Sequence, residues 1–169
     1  MTTPTLTSAV PQVTDYLYTT ATALLPAVTV FDGPNPTADS MAAASHLWIG
    51  WNPQAAEATG AAADQDFAFL DYARTRDERG TITCAAENWS GSTVVKIQRD
   101  ATAAIVAQVE LMLRGTPGTG GPGDASMGGL CMWSQVTGPY EWYPRQNDDG
   151  SAVLCVFTVS YYARLTTGS

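Results

Sequence analysis

Few residues of this chain could do chemistry. A nucleophile activated by an imidazole needs a histidine, and the 169 residues include one, His46, at the start of the run HLWIGW. Beside Leu47 and Trp48 at a strand edge, it reads as a packed or exposed histidine rather than a base. Carboxylate pairs occur at Asp64 with Asp66, Asp77 with Glu78 and Asp148 with Asp149. Such pairs can hold a hard cation or cleave a glycosidic bond. None of the three lies in a recognisable metal loop, and turn and surface roles account for them. Cys84, Cys131 and Cys155 are odd in number and lack CxxC spacing, so they predict reduced core thiols rather than a disulfide framework or a zinc site. The five tryptophans, Trp48, Trp51, Trp89, Trp133 and Trp142, could form a stacking platform for sugars. Spread over three predicted strands, they serve equally as core or interface anchors.

The stretch GTPGTGGPGDASMGG, 115–129, holds seven of the fifteen glycines and raises the question of a phosphate cradle. A phosphate loop follows a strand and opens a helix, so that backbone N–H groups face the anion. Here the glycines follow a predicted helix and precede a predicted strand, no lysine lies among them, and Asp124 would repel the ligand. No nucleotide or other cofactor is expected. Glycine, proline, threonine and serine instead specify a flexible loop, either a plain connection or a docking arm that orders on assembly.

The elements that must position these residues follow from composition and period. Hydrophobic residues make up 45% and charged residues 14%, against roughly 25% charge in ordinary soluble domains, so other subunits are expected to cover part of the surface. A net charge of −8 with scattered cations excludes a backbone-gripping nucleic-acid binder. No run of about 18 apolar residues offers a bilayer span, and no basic flank precedes an apolar N-terminal run, so a soluble cytoplasmic product is expected. Val10, Val13, Leu17, Ala21 and Leu24 make one helical stripe, with Thr7 or Ser8 available to cap it and Pro11 in the first turn. Residues 28–32 and 46–51 read as strands, 53–63 as a loop or weak helical turn, and 64–78 as an exposed link in which Phe67, Phe69 and Leu70 must pack somewhere. RGTITCAAENW, 79–89, alternates like a half-buried strand.

A second helix over VVKIQRDATAAIVAQVELMLRG aligns Ile97, Ala101, Ile105, Val109 and Met112, with Gly115 as its stop. Its apolar arc is broader than one core-facing stripe, to be covered by a neighbouring subunit, by the first helix, or by both. Residues 130–143 and 151–165 form a hairpin about Asp149 and Gly150. On the last strand one face is core, and the other grades from greasy Ala152 and Leu154 to polar Tyr162 and Arg164. The order predicts a single α+β domain over 1–169: an antiparallel sheet of about four to five strands with two helices packed on one face.

Taken together, the N-terminal helix, the short strand with its DGPNP turn, HLWIGW, RGTITCAAENWSGS, IQRDATAAIVAQVELMLR and GPYEWYPRQNDDGSAVLCVFTVSYYARL resemble the tail terminator family of long-tailed, siphovirus-type bacteriophages over most of residues 8–165. The resemblance lies in the order of parts more than in signature residues. It implies a structural virion protein with no catalytic, metal or cofactor site. Such a protein forms a hexameric ring, caps the tail tube, ends its polymerisation and joins the tail to the head connector. It is assembled in the bacterial cytoplasm, binds the major tail tube protein and the head-tail connector or a head completion protein, and lets DNA through its lumen without specific binding. The contact residues expected from this resemblance and from the exposed aromatics are Trp48, Trp51, Gly120, Asp124, Trp142, Tyr143, Asp148 and Asp149. Another neck or tail-completion role, or a small enzyme or carbohydrate-binding module built on the tryptophans, is the alternative.

Overall fold

The structure is a computed structural model that describes residues 7–34, 44–55, 57, 59–67, 75–114, 118 and 123–166. Its elements run α1 (Val10–Leu24), β1 (Thr29–Asp32), β2 (Ser45–Ile49), β3 (Ala61–Phe67), β4 (Thr75–Ser90), α2 (Val95–Met112), β5 (Trp133–Asn147) and β6 (Gly150–Thr166). This is an α+β chain whose six-stranded sheet is ordered β1-β2-β4-β6-β5, with β3 on β4. Only β1 and β2 pair in parallel; the rest is antiparallel.

The strand count of four to five is therefore corrected to six. The added strand is β3, within segments read from sequence as a loop and an exposed link. AAADQDF has almost no β-branched or aromatic residues, so nothing in its composition marks a strand. It forms because β4, starting earlier than expected, offers Arg76 to Ile82 as a template, and β3 pairs along all of it. Further along, β4 pairs β2 through Cys84 to Asn88. β2 and β3 thus lie end to end along one side of β4, and β6 runs the full length of the other.

In α1 the middle of the predicted stripe holds: Val13, Leu17 and Ala21 are buried, Val10 is half-buried, and Leu24, expected inward, is exposed. Its N-terminus is satisfied from near and far. The Ser8 hydroxyl accepts from the Val10 amide at 3.1 Å, while the amide of Ala9, the N-cap, donates to the Glu78 carboxylate at 2.8 Å. In α2 the buried arc is Gln98, Thr102, Ile105, Val106, Val109 and Met112. Ile97, expected inward, is 54% exposed. The rotation follows from hydrogen bonding: Gln98 Nε2 donates to Ser90 Oγ and Thr102 Oγ1 to the Val153 carbonyl, so each of these side chains finds a partner in the interior.

The buried residues of α1 and α2 share one core with Leu47 and Ile49 of β2, Ile82, Cys84 and Ala86 of β4, and alternate residues of β6 from Cys155 to Leu165. On the opposite face of the strands Phe31, Trp48, Ala85, Leu154 and Val156 form a second cluster. The graded face expected for β6 is present: Leu154 and Val156 are buried, Thr158 and Ser160 half-buried, and Arg164 exposed. In the β5–β6 hairpin Asn147 pairs with Gly150, and Gly150 has a positive φ.

Candidate assembly surface

The expected contact residues divide by depth. Trp48, alternating with Leu47 and Ile49, points into the second cluster and is 2% exposed. It stacks on Phe31 with ring centroids 5.8 Å apart and meets Trp51 edge-on at 6.0 Å. Trp51 and Tyr143 are half-buried against the same cluster. The fold therefore brings these three together, but as the filling of one sheet face, with Trp48 inside rather than presented to a partner. Trp142 stands opposite Cys155 and so belongs to the other face of β5, where it is 40% exposed. Asp148 and Asp149 are exposed at the hairpin tip. Gly120 lies outside the described residues.

Asp124 is also inside. One carboxylate oxygen accepts from the Ser126 amide and hydroxyl at 2.8 and 2.7 Å, and the other from the Gly128 amide at 2.9 Å. The Gly123 amide donates to the carbonyl of Met112 at 2.9 Å, and Met127 and Cys131 enter the main core. From Gly123 to Gly129 the chain is thus a turn organised around a buried carboxylate rather than the flexible arm expected over all of 115–129. A buried Asp124 is no surface contact; it satisfies backbone amides that would otherwise lack partners.

The groups weighed for chemistry have structural settings. His46 is buried between Phe31 and Trp48, and its Nδ1 lies 3.9 Å from the Glu87 carboxylate, which Arg145 also approaches at 3.3 Å. Glu78 has no exposed surface and accepts from the Tyr161 hydroxyl at 2.7 Å as well as from Ala9 and Gln65. Burial, and then this hydrogen bond, push the Tyr161 phenol well above its ordinary range. The Arg164 guanidinium pulls the half-buried Asp77 carboxyl down to about 2. All three cysteines are buried and free, and burial pushes each thiol up to about 12, so none is a nucleophile at neutral pH. Among the described residues no group of His, Cys, Asp and Glu is arranged to hold a metal ion, and no helix is long and apolar enough to cross a membrane.

Exposed tryptophans do not make one platform. Trp133 stacks on Tyr162, which pairs with Arg79, while Trp89 lies ten positions further along β4, about 33 Å of strand away. Trp142 faces the other side. What the surface does offer is apolar area along α2 and β5. On α2, Ile97, Ala101, Ala104, Gln108 and Leu111 recur at three- and four-residue spacing beside the buried arc; Ile97 and Leu111 are each more than half exposed. α1 meets α2 only sparsely and leaves this stripe open. Along β5, which pairs on one side only with β6, Trp133, Tyr140 and Trp142 are exposed. Tyr140 escaped sequence reasoning, and Phe67 of β3, expected to pack, is exposed.

Comparison with models of known protein families finds no match, and no curated protein matches the chain significantly.

Proposed function

We propose that this chain is a structural subunit of a phage tail terminator ring, which closes the tail tube and joins it to the head connector. The observation that carries the reading is the open stripe of α2 together with the exposed aromatics of β5, apolar surface in a chain with too little charge to leave it wet. Such area fits burial against copies of the same subunit, the usual economy of closed homo-oligomers.

In this reading α1 and α2 cover one face of the sheet. Hexameric closure, and contacts with the tube protein on one side of the ring and the connector on the other, follow from the resemblance in element order. The net charge of −8 suits a lumen that DNA must traverse without sticking, since like charge repels phosphate. The site of action would be the virion neck, after assembly in the bacterial cytoplasm. Light scattering on the chain, alone and with tail tubes, tests the proposal. A multimer in either setting is the expected result, and a monomer in both contradicts it.

A further inference from the structure

We infer that the second cluster carries a proton-driven switch: His46 and Arg145 share the carboxylate of Glu87, and charging the imidazole draws that carboxylate off the arginine and loosens the β5–β6 hairpin.

The chain has one histidine, and it is 2% exposed. β2 and β4 set His46 directly opposite Glu87, so both side chains rise from the same face of the sheet. Arg145 approaches Glu87 from the other side. It stands opposite Ala152, which stands opposite Trp89, two positions from Glu87 on β4, and this parity puts Arg145 on the same face. The carboxylate is divided between its two neighbours: Oε1 lies 3.3 Å from Arg145 Nη2, and Oε2 lies 3.9 Å from His46 Nδ1. The second distance is about 1 Å longer than a charge-assisted hydrogen bond, a gap that a protonated imidazole closes.

The surroundings leave Glu87 as the anion that answers a proton on His46. The rings of Phe31 and Trp48 lie 5.9 and 5.4 Å from the imidazole and shield it from water. Among the described residues, β1 offers this face Thr29 and Phe31, and β6 offers Leu154 and Val156, none of which titrates. β5 adds Tyr143 and Glu141, which are hydrogen-bonded to each other at 2.9 Å. The Glu87 side chain is itself 11% exposed, so its interactions are little screened by salt.

One carboxylate cannot hold both cations equally. With the imidazole neutral, Arg145 ties β5 to β4 across the apolar side chains of β6. With the imidazole charged, Glu87 is pulled towards β2 and the arginine keeps a weaker hold. Arg145 lies two residues before Asn147, where the hairpin turns, so the loosening reaches Asp148 and Asp149. Histidine is the side chain whose ordinary titration falls between about pH 5 and pH 8, so the switch works near neutrality.

NMR of the full chain tests this, because a single imidazole gives an unambiguous signal. In the parent, the imidazole and the backbone amides of Arg145 and Gln146 are expected to titrate with one common midpoint. Arg145→Gln removes the competitor and is expected to raise the imidazole midpoint by about one pH unit. Glu87→Gln removes the shared anion, and is expected to lower the midpoint and uncouple the hairpin amides from it. Arg145 is more than half exposed and glutamine matches glutamate in shape, so both variants are expected to keep the parent fold. An imidazole that stays neutral until the chain unfolds in acid would overturn the inference. So would a midpoint that Arg145→Gln leaves at the parent value, or hairpin amides indifferent to the imidazole.

Discussion

Glu78 shows what a single residue does here. A carboxylate without exposed surface is tolerated because three donors converge on it, and those donors belong to α1, β3 and β6. It ties the first helix to strands more than fifty residues away in sequence. Tyr161→Phe removes one donor and is expected to lower unfolding free energy by about 1–3 kcal/mol in urea titration; an unchanged midpoint would show that the network carries no stability. Asp77 bears on acid behaviour. Its pKa is depressed from 3.8 to about 2 by Arg164, so its contribution is complete above the ordinary value and lost as pH falls through the depressed one. The melting temperature of Asp77→Asn is therefore expected below that of the parent at neutral pH, with the gap closing between about pH 4 and pH 2. A gap that persists at the acid end would contradict this cause. Neither setting was legible beforehand, since the partners of Glu78 and Asp77 come from distant segments.

At the scale of elements, periodicity carried the sequence reading a long way. The α1 stripe, the alternation of β4 from Ile82 to Ala86 and the β5–β6 hairpin all follow from local pattern. β3 did not, because its strand character is imposed by the ladder with β4. In α2 Ile105, Val109 and Met112 are buried as expected, but the first turn was misjudged because Gln98 and Thr102 find their partners, Ser90 and the Val153 carbonyl, only in the folded sheet. Likewise Asp124 is buried by backbone amides that no composition reveals. The pairing of β4 with β6 also explains Gly80, which stands opposite Tyr161. A Cβ at that position would run into the Tyr161 ring. Gly80→Ala is expected to cost about 1–3 kcal/mol, by moving the ring off Glu78 or straining the two strands apart. Equal stability in thermal and urea unfolding would show that the ring relaxes freely.

For the whole molecule, sequence and structure agree on an α+β chain. Of the expected contact residues, Trp142, Asp148 and Asp149 lie on the surface, Trp51 and Tyr143 at its margin, and Trp48 and Asp124 within. Depth was misread for the last two because a tryptophan or an aspartate in a short motif carries no sign of what will pack over it. The surface left open, along α2 and β5, is what makes assembly the economical reading of the fold. Electron microscopy of a phage tail tube protein, polymerised with and without this chain, tests the proposed role most directly. The account predicts tubes that stop growing and carry a ring of this chain at one end. Tubes that elongate unchanged, with the chain left as a monomer in solution, would contradict it.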